Sequence, residues 1–146
     1  MTDVVLPVLV VDDNPDFLRV MRTILEQGVP AFAVHTVATA TEALAFLGRQ
    51  PPFVDVPRPA FVVLDFRLPD MNAPAVLTWL AARDDLRAIP VLVLSQAGWA
   101  EDEAAARAAG ACAFREKPSR LRSLREAVVT FWREHVDGGV GPADRG

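Results

Sequence analysis

The stretch VLVVDDNPDF, residues 8–17, decides how the chain is read. Its first four residues are Val and Leu with no polar alternation, the pattern of a strand covered on both faces, and such strands belong to parallel sheets. The run ends on two adjacent carboxylates, Asp12 and Asp13. Like charges at the mouth of a buried strand repel each other and cost free energy unless something compensates them. Asn14 then offers a helix N-cap with Pro15 at the first helical position, so strand passes to helix through an acidic turn.

Working outward, short apolar runs recur at 7–11, 31–37, 60–65, 90–95 and 111–114. Helical spacing fills the gaps between them. Phe17, Met21, Ile24 and Leu25 share one face of the first helix; Thr39 and Glu42 form a capping-box pattern for a second, whose face is Ala40, Ala43, Leu44 and Leu47. Asn72 and Pro74 open a third helix carrying Val76, Leu77, Leu80 and Ala81, and the alanine-rich segment 99–110 predicts a fourth that stops at Gly110. A fifth runs from near Ser119 to about His135. Five alternations of strand and helix predict an α/β fold, a doubly wound parallel sheet with helices on both faces. The domain is expected over 1–136, with a disordered tail at 137–146. Residues 49–59, RQPPFVDVPRP, hold four prolines and read as a long loop between the second helix and the third strand.

Composition narrows the function. With 146 residues, 51% of them apolar, the chain is expected to form one domain with a full core and no separate output domain. A net charge of −4, with basic residues scattered apart from a denser run between Arg115 and Arg125, argues against a nucleic-acid surface. No apolar run reaches the roughly 18 residues of a membrane span, and the lone Cys112 cannot form an internal disulfide. The expectation is a soluble, cytoplasmic protein.

In open parallel sheets, ligands gather beyond the carboxyl ends of the strands, where strand order reverses. Those ends carry Asp12 and Asp13, then Asp65, then Ser95, with Lys117 following the last strand. A strand order of 2-1-3-4-5 would bring the three aspartates together. Such a cluster needs a cation, and an all-oxygen donor set suits Mg²⁺ rather than zinc. A carboxylate, a hydroxyl and a lysine around such an ion suit phosphoryl transfer, with Asp65 as the attacking group.

These segments carry a resemblance. VLVVDDNPD, VVLDFRLPDMN, VLVLSQAG and GACAFREKPS look like the successive motifs of CheY-like response-regulator receiver domains, over nearly the whole chain to about residue 136. The resemblance implies a flavodoxin-like (βα)5 fold in the order 2-1-3-4-5. It implies that Asp65 is the phosphoacceptor of a two-component phosphorelay, that Asp12, Asp13 and Asp65 bind Mg²⁺ with the backbone carbonyl of Arg67, and that Lys117 holds the phosphate. Ser95 and Phe114 fall at the switch hydroxyl and switch aromatic positions, and the bond before Pro118 is expected to be cis. The partner would be a histidine kinase. A narrower likeness, carried by the 49–59 insertion, KPS at 117–119 and FW at 131–132, is to small stand-alone regulators paired with phytochrome-type kinases, and implies a bacteriophytochrome pathway and a dimer.

Other residues are weighed on their own. Arg67 and Gln96 depart from the family pattern beside the site, and either could alter the lifetime of an aspartyl phosphate. In the fifth helix, Leu121, Leu124, Val128 and Phe131 form one core-facing stripe. Val129, Trp132 and Val136 form a second, which either widens the packed face or belongs to a homodimer surface built from the fourth helix, fifth strand and fifth helix. Cys112 reads as a small buried hydrophobe and His35 as a core or edge histidine. Two other functions compete with the phosphoacceptor: an adaptor that keeps the fold and acts only through its surface, and a Mg²⁺-dependent phosphatase. Arg67 counts against the phosphatase, since a second acid would be needed there.

Overall fold

The structure is a computed structural model that describes residues 5–96 and 100–137. Its strands are β1 (Leu6–Val11), β2 (Phe32–Val37), β3 (Phe61–Asp65), β4 (Val91–Ser95) and β5 (Ala113–Glu116). Between and after them lie α1 (Pro15–Glu26), α2 (Ala40–Leu47), α3 (Ala73–Ala81), α4 (Ala100–Ala109) and α5 (Leu121–Trp132), which ends in one π turn, Arg133–Asp137. All strand pairs are parallel, and the sheet order is β2-β1-β3-β4-β5, as the sequence leads one to expect. The predicted helical start at Trp99 and the predicted disorder beyond Asp137 lie outside the described residues.

The unbroken apolar strands are explained by their two faces. Val8 and Val10 of β1 join Val63, Leu92 and Leu94 in a core closed by Met21 and Leu25 of α1 and Leu124, Val128 and Phe131 of α5. The intervening Leu9 and Val11 join Val62, Leu64 and Val93 under α2, α3 and Ala106 of α4. Period-two alternation thus sends every second side chain to a different apolar layer, leaving no polar position in the strand. The Pro-rich loop is tied to the second layer by Phe53, whose ring lies 5.4 Å from that of Phe46, and by Val56.

Several local expectations are corrected. The second stripe of α5 widens the packed face: Val129 is buried, the half-buried Trp132 ring meets Phe32 edge-on at 5.8 Å, and the half-buried Val136 packs on the same core. The helix packs beside α1 with Phe131 against Phe61 of β3 and Trp132 against Phe32 of β2, so both stripes find apolar partners. Leu121, by contrast, is exposed, because it begins α5 ahead of the first turn that reaches the sheet. Cys112 is exposed too, since it sits in the turn leading into the edge strand β5. Among the described residues the cis bonds are Val29–Pro30 and Pro51–Pro52, and the bond before Pro118 is not one of them. The trans form is the ordinary preference of such bonds, and it leaves Lys117 anchored through its own N–H to Ser95 O at 2.7 Å.

One anchor joins the end of β3 to α2. Asp70, in the loop before α3, accepts hydrogen bonds from the N–H groups of Ala40 and Thr41 at 2.9 and 2.8 Å and from the Thr41 hydroxyl at 2.6 Å. The capping box of Thr39 and Glu42 satisfies the neighbouring donors, so the start of α2 is fully paired. Slight burial opposes ionisation of Asp70, but the bonds from Thr41 and Ala40 outweigh it and hold the carboxyl at about 2, below the ordinary 3.8. A carboxyl with a depressed pKa stabilises the fold above its unfolded pKa, and the contribution disappears as the pH falls toward the folded value.

Two measurements check these packings. Trp132→Ala should cost about 2 kcal/mol in denaturant unfolding; a loss below about 0.5 kcal/mol would contradict the contact with Phe32. Asp70→Asn should melt lower than the parent at pH 7, with the gap closing between about pH 4 and pH 2. A gap that stayed constant over that range would mean the charge contributes nothing.

Candidate functional site

Register brings the candidate residues to one edge. Val11 pairs with Leu64, Asp65 with Leu94, and Ser95 with Glu116, so Asp12, Asp65, Ser95 and Lys117 all leave the sheet at its carboxyl end. They line a cleft of about 590 Å³ together with Asp13, Asn14, Arg67 and Gln96. Asp12, Asp65 and Ser95 are buried, whereas Asp13 and Gln96 are exposed.

Lys117 is the electrostatic centre of the cleft. Its ammonium donates to Asp12 Oδ2 at 2.5 Å and pairs with Asp65 Oδ1 at 3.2 Å, while lying 4.5 Å from the centre of the Phe17 ring. The other oxygen of Asp12 accepts from the Asn14 N–H at 2.9 Å, so the acidic turn also helps start α1. Burial tends to lower the pKa of Lys117, but the hydrogen bond to Asp12 and the charges of Asp65 and Asp12 raise it above its ordinary value. The lysine therefore stays charged. For Asp65, burial pushes the carboxyl up to about 6, with Asp12 and Asp13 adding to the rise and Lys117 opposing it.

The donor set fits a hard divalent cation. Carboxylate oxygens of Asp12, Asp13 and Asp65 lie within 4.8 Å of one another. At an effective dielectric of about 20, two charges that close repel by roughly 3 kcal/mol, and one lysine cannot neutralise three carboxylates. Oxygen donors of this kind suit Mg²⁺ or Mn²⁺ and exclude a thiolate or imidazole metal site here. Arg67 stands in the same wall: its backbone forms an isolated bridge with Asn72.

Of the two expected switch residues, Ser95 lines the cleft and Phe114 does not. Phe114 is buried, and its ring meets Phe66 edge-on at 6.3 Å. The candidate interface residues Val129, Trp132 and Val136 lie away from the cleft in the α1–α5 core. Sequence reasoning misses two carboxylates of consequence. Asp70 gives no local signal, because its partners are about thirty residues away in the chain. Asp102 is buried in the first turn of α4 and receives two hydrogen bonds from the Arg67 guanidinium, at 3.0 and 3.2 Å. In sequence it is one acid of three, indistinguishable from those that complement a helix N-terminus.

Known proteins are similar to this chain in sequence and fold. The profile of the response regulator receiver domain matches residues 8–129. Response regulator Rcp1 of Synechocystis sp. is 26% identical over 132 residues, 88% of this chain and 90% of that protein. The phosphorylated cyanobacterial phytochrome response regulator RcpA superposes with a TM-score of 0.81 at 24% identity, covering 90% of this chain and 94% of that one. A Mn²⁺-bound form of Rcp1 gives 0.78 at the same identity and coverage. The bacteriophytochrome response regulator AtBRR is 31% identical, with a TM-score of 0.71 over 86% of this chain and 91% of its own. With five parallel strands in the order 2-1-3-4-5, acids on the ends of β1 and β3, and a matched profile spanning most of its length, this chain belongs to the response regulator receiver domain family of two-component signalling.

Proposed function

We propose that this receiver domain accepts a phosphoryl group on Asp65 from a phosphohistidine of a histidine kinase, and that a phytochrome-like kinase is the donor. The observation that carries the reading is the Lys117 ammonium bridging Asp12 and Asp65 at the mouth of the cleft. An oxygen of the ionised Asp65 attacks phosphorus, an acyl phosphate bond forms, and the P–N bond breaks with its electron pair returning to the imidazole. Asp12, Asp13, Asp65 and the Arg67 carbonyl would hold a divalent ion, Mg²⁺ in this reading, which supplies charge neutralisation for the phosphoryl oxygens. The Mn²⁺-bound form of Rcp1 supports a divalent ion in that place.

Lys117 then exchanges its contact with Asp65 for the phosphoryl oxygens, and the Ser95 hydroxyl donates to another of them. Moving Ser95 changes what Phe114 packs against, and the signal leaves through the face formed by α4, β5 and α5. A second copy of the chain is the partner we assign to that face. Trp132, half-buried with one edge of its ring against Phe32, stands beside that face with Val129 and Val136 as its expected apolar contribution.

The likeness to AtBRR supports the phytochrome pathway, since that protein is named as a bacteriophytochrome response regulator. Incubation with acetyl phosphate and Mg²⁺ should add the mass of one phosphoryl group, with none added to Asp65→Asn or after chelation. Lys117→Ala should slow the gain by roughly a hundredfold or more, the cost of losing one charge-stabilising donor. Phosphorylation that persisted in Asp65→Asn, or a parent that took up none, would overturn the assignment.

A further inference from the structure

Among the described residues, the buried polar and charged side chains are Asp12, Asp65, Ser95 and Asp102. Three of them line the cleft; the fourth stands on α4. A buried carboxylate persists as an ion only if it is paired, and the partner of Asp102 is Arg67. One nitrogen of that guanidinium donates to both oxygens of Asp102, whose side chain is 11% exposed while that of Arg67 is 63% exposed. Arg67 also lies 5.3 Å from the centre of the Phe66 ring, and Phe66 in turn meets Phe114. One arginine, two residues beyond Asp65 and in the wall of the same cleft, therefore touches both α4 and Phe66, the ring that Phe114 meets.

We infer that Arg67 is shared between two anions, Asp102 on α4 and a phosphoryl group on Asp65, so that phosphorylation unlatches α4 by drawing the guanidinium into the cleft. The inference rests on Asp65 being the phosphoacceptor. A phosphoryl group carries nearly two negative charges and three acceptor oxygens, and an arginine fork matches it better than it matches a single carboxylate. Once Arg67 turns, Asp102 is left buried without its cation, a state that costs enough to make the first turn of α4 shift until water reaches it. The same motion takes the guanidinium off Phe66 and loosens the support of Phe114. Coupling of this kind is reciprocal: a partner that holds α4 outward frees Arg67 and tightens the hold on the phosphoryl group. Asp102 is in this sense a positioning residue, acting only through Arg67.

The test is a double-mutant cycle read by beryllofluoride, a stable mimic of the phosphoryl group, titrated in the presence of Mg²⁺. Asp102→Asn removes the competing charge while keeping the shape, and should bind beryllofluoride about two- to fivefold more tightly than the parent, the range expected of a half-exposed ion pair. In an Arg67→Ala background the same Asp102→Asn change should have no effect. A merely structural role in starting α4 would shift both backgrounds alike, and that outcome would overturn the inference, as would equal affinities for the parent and Asp102→Asn. Amide exchange gives a second readout: beryllofluoride should speed exchange in the first turn of α4 in the parent, whereas in Asp102→Asn, which has no charge to leave unpaired, it should leave exchange unchanged. Unchanged exchange in the parent would count against the latch. A parent that bound no beryllofluoride would overturn the phosphoacceptor reading itself, and the latch with it.

Discussion

Three carboxylates within 4.8 Å of one another at the end of a buried sheet set the terms for everything around them. Their mutual repulsion and the loss of water push the Asp65 carboxyl up to about 6, and the Lys117 ammonium offsets part of both effects. That lysine arrives from the far edge of the sheet, 105 residues from Asp12 in the chain, so the charge balance of the site depends on β5 being docked beside β4. The fold and the chemistry are thus joined by one cation. A divalent ion or phosphoryl group entering the cleft would meet counter-charges already held in place, which is preorganisation in the usual electrostatic sense.

The scaffold serves this arrangement by leaving little else free to move. Each strand buries alternate side chains in two separate apolar layers, so a shift of one residue in register would misplace both layers and the carboxyl-end acids together. The loop after β3 is held on both sides. Asp70 ties it to the start of α2, and Arg67 ties it to α4 through Asp102. These two anchors differ in kind. Asp70 meets backbone N–H groups that have no alternative partner, whereas Arg67 is mostly exposed and stands in the wall of a cleft lined by Asp12, Asp13 and Asp65. The first is suited to permanence and the second to exchange.

Much of this is legible in the residues. The short apolar runs point to all five strands, the Asn14 and Thr39 caps locate two helix starts, and Gly110, with φ of +118°, ends α4 where only glycine is comfortable. The acids Asp12, Asp13 and Asp65 group together on sequence grounds alone, because parallel topology sends the carboxyl ends of strands to one side. The departures have a common origin. For Cys112, Leu121 and the Val129–Trp132–Val136 stripe, residue type and spacing say that an apolar face exists but not which surface covers it.

What the sequence determined by itself was therefore local: alternation within a strand, caps within a turn, and the side of the sheet on which the acids emerge. Only the tertiary structure decided that Lys117 bridges Asp12 and Asp65, that Trp132 leans on Phe32, and that Arg67 answers to Asp102 across 35 residues of chain. The physical reason is range. Backbone conformation and capping are settled within a few residues, but a charge or a ring takes whichever partner the packing of helices on the sheet delivers, and that packing is a property of the whole core.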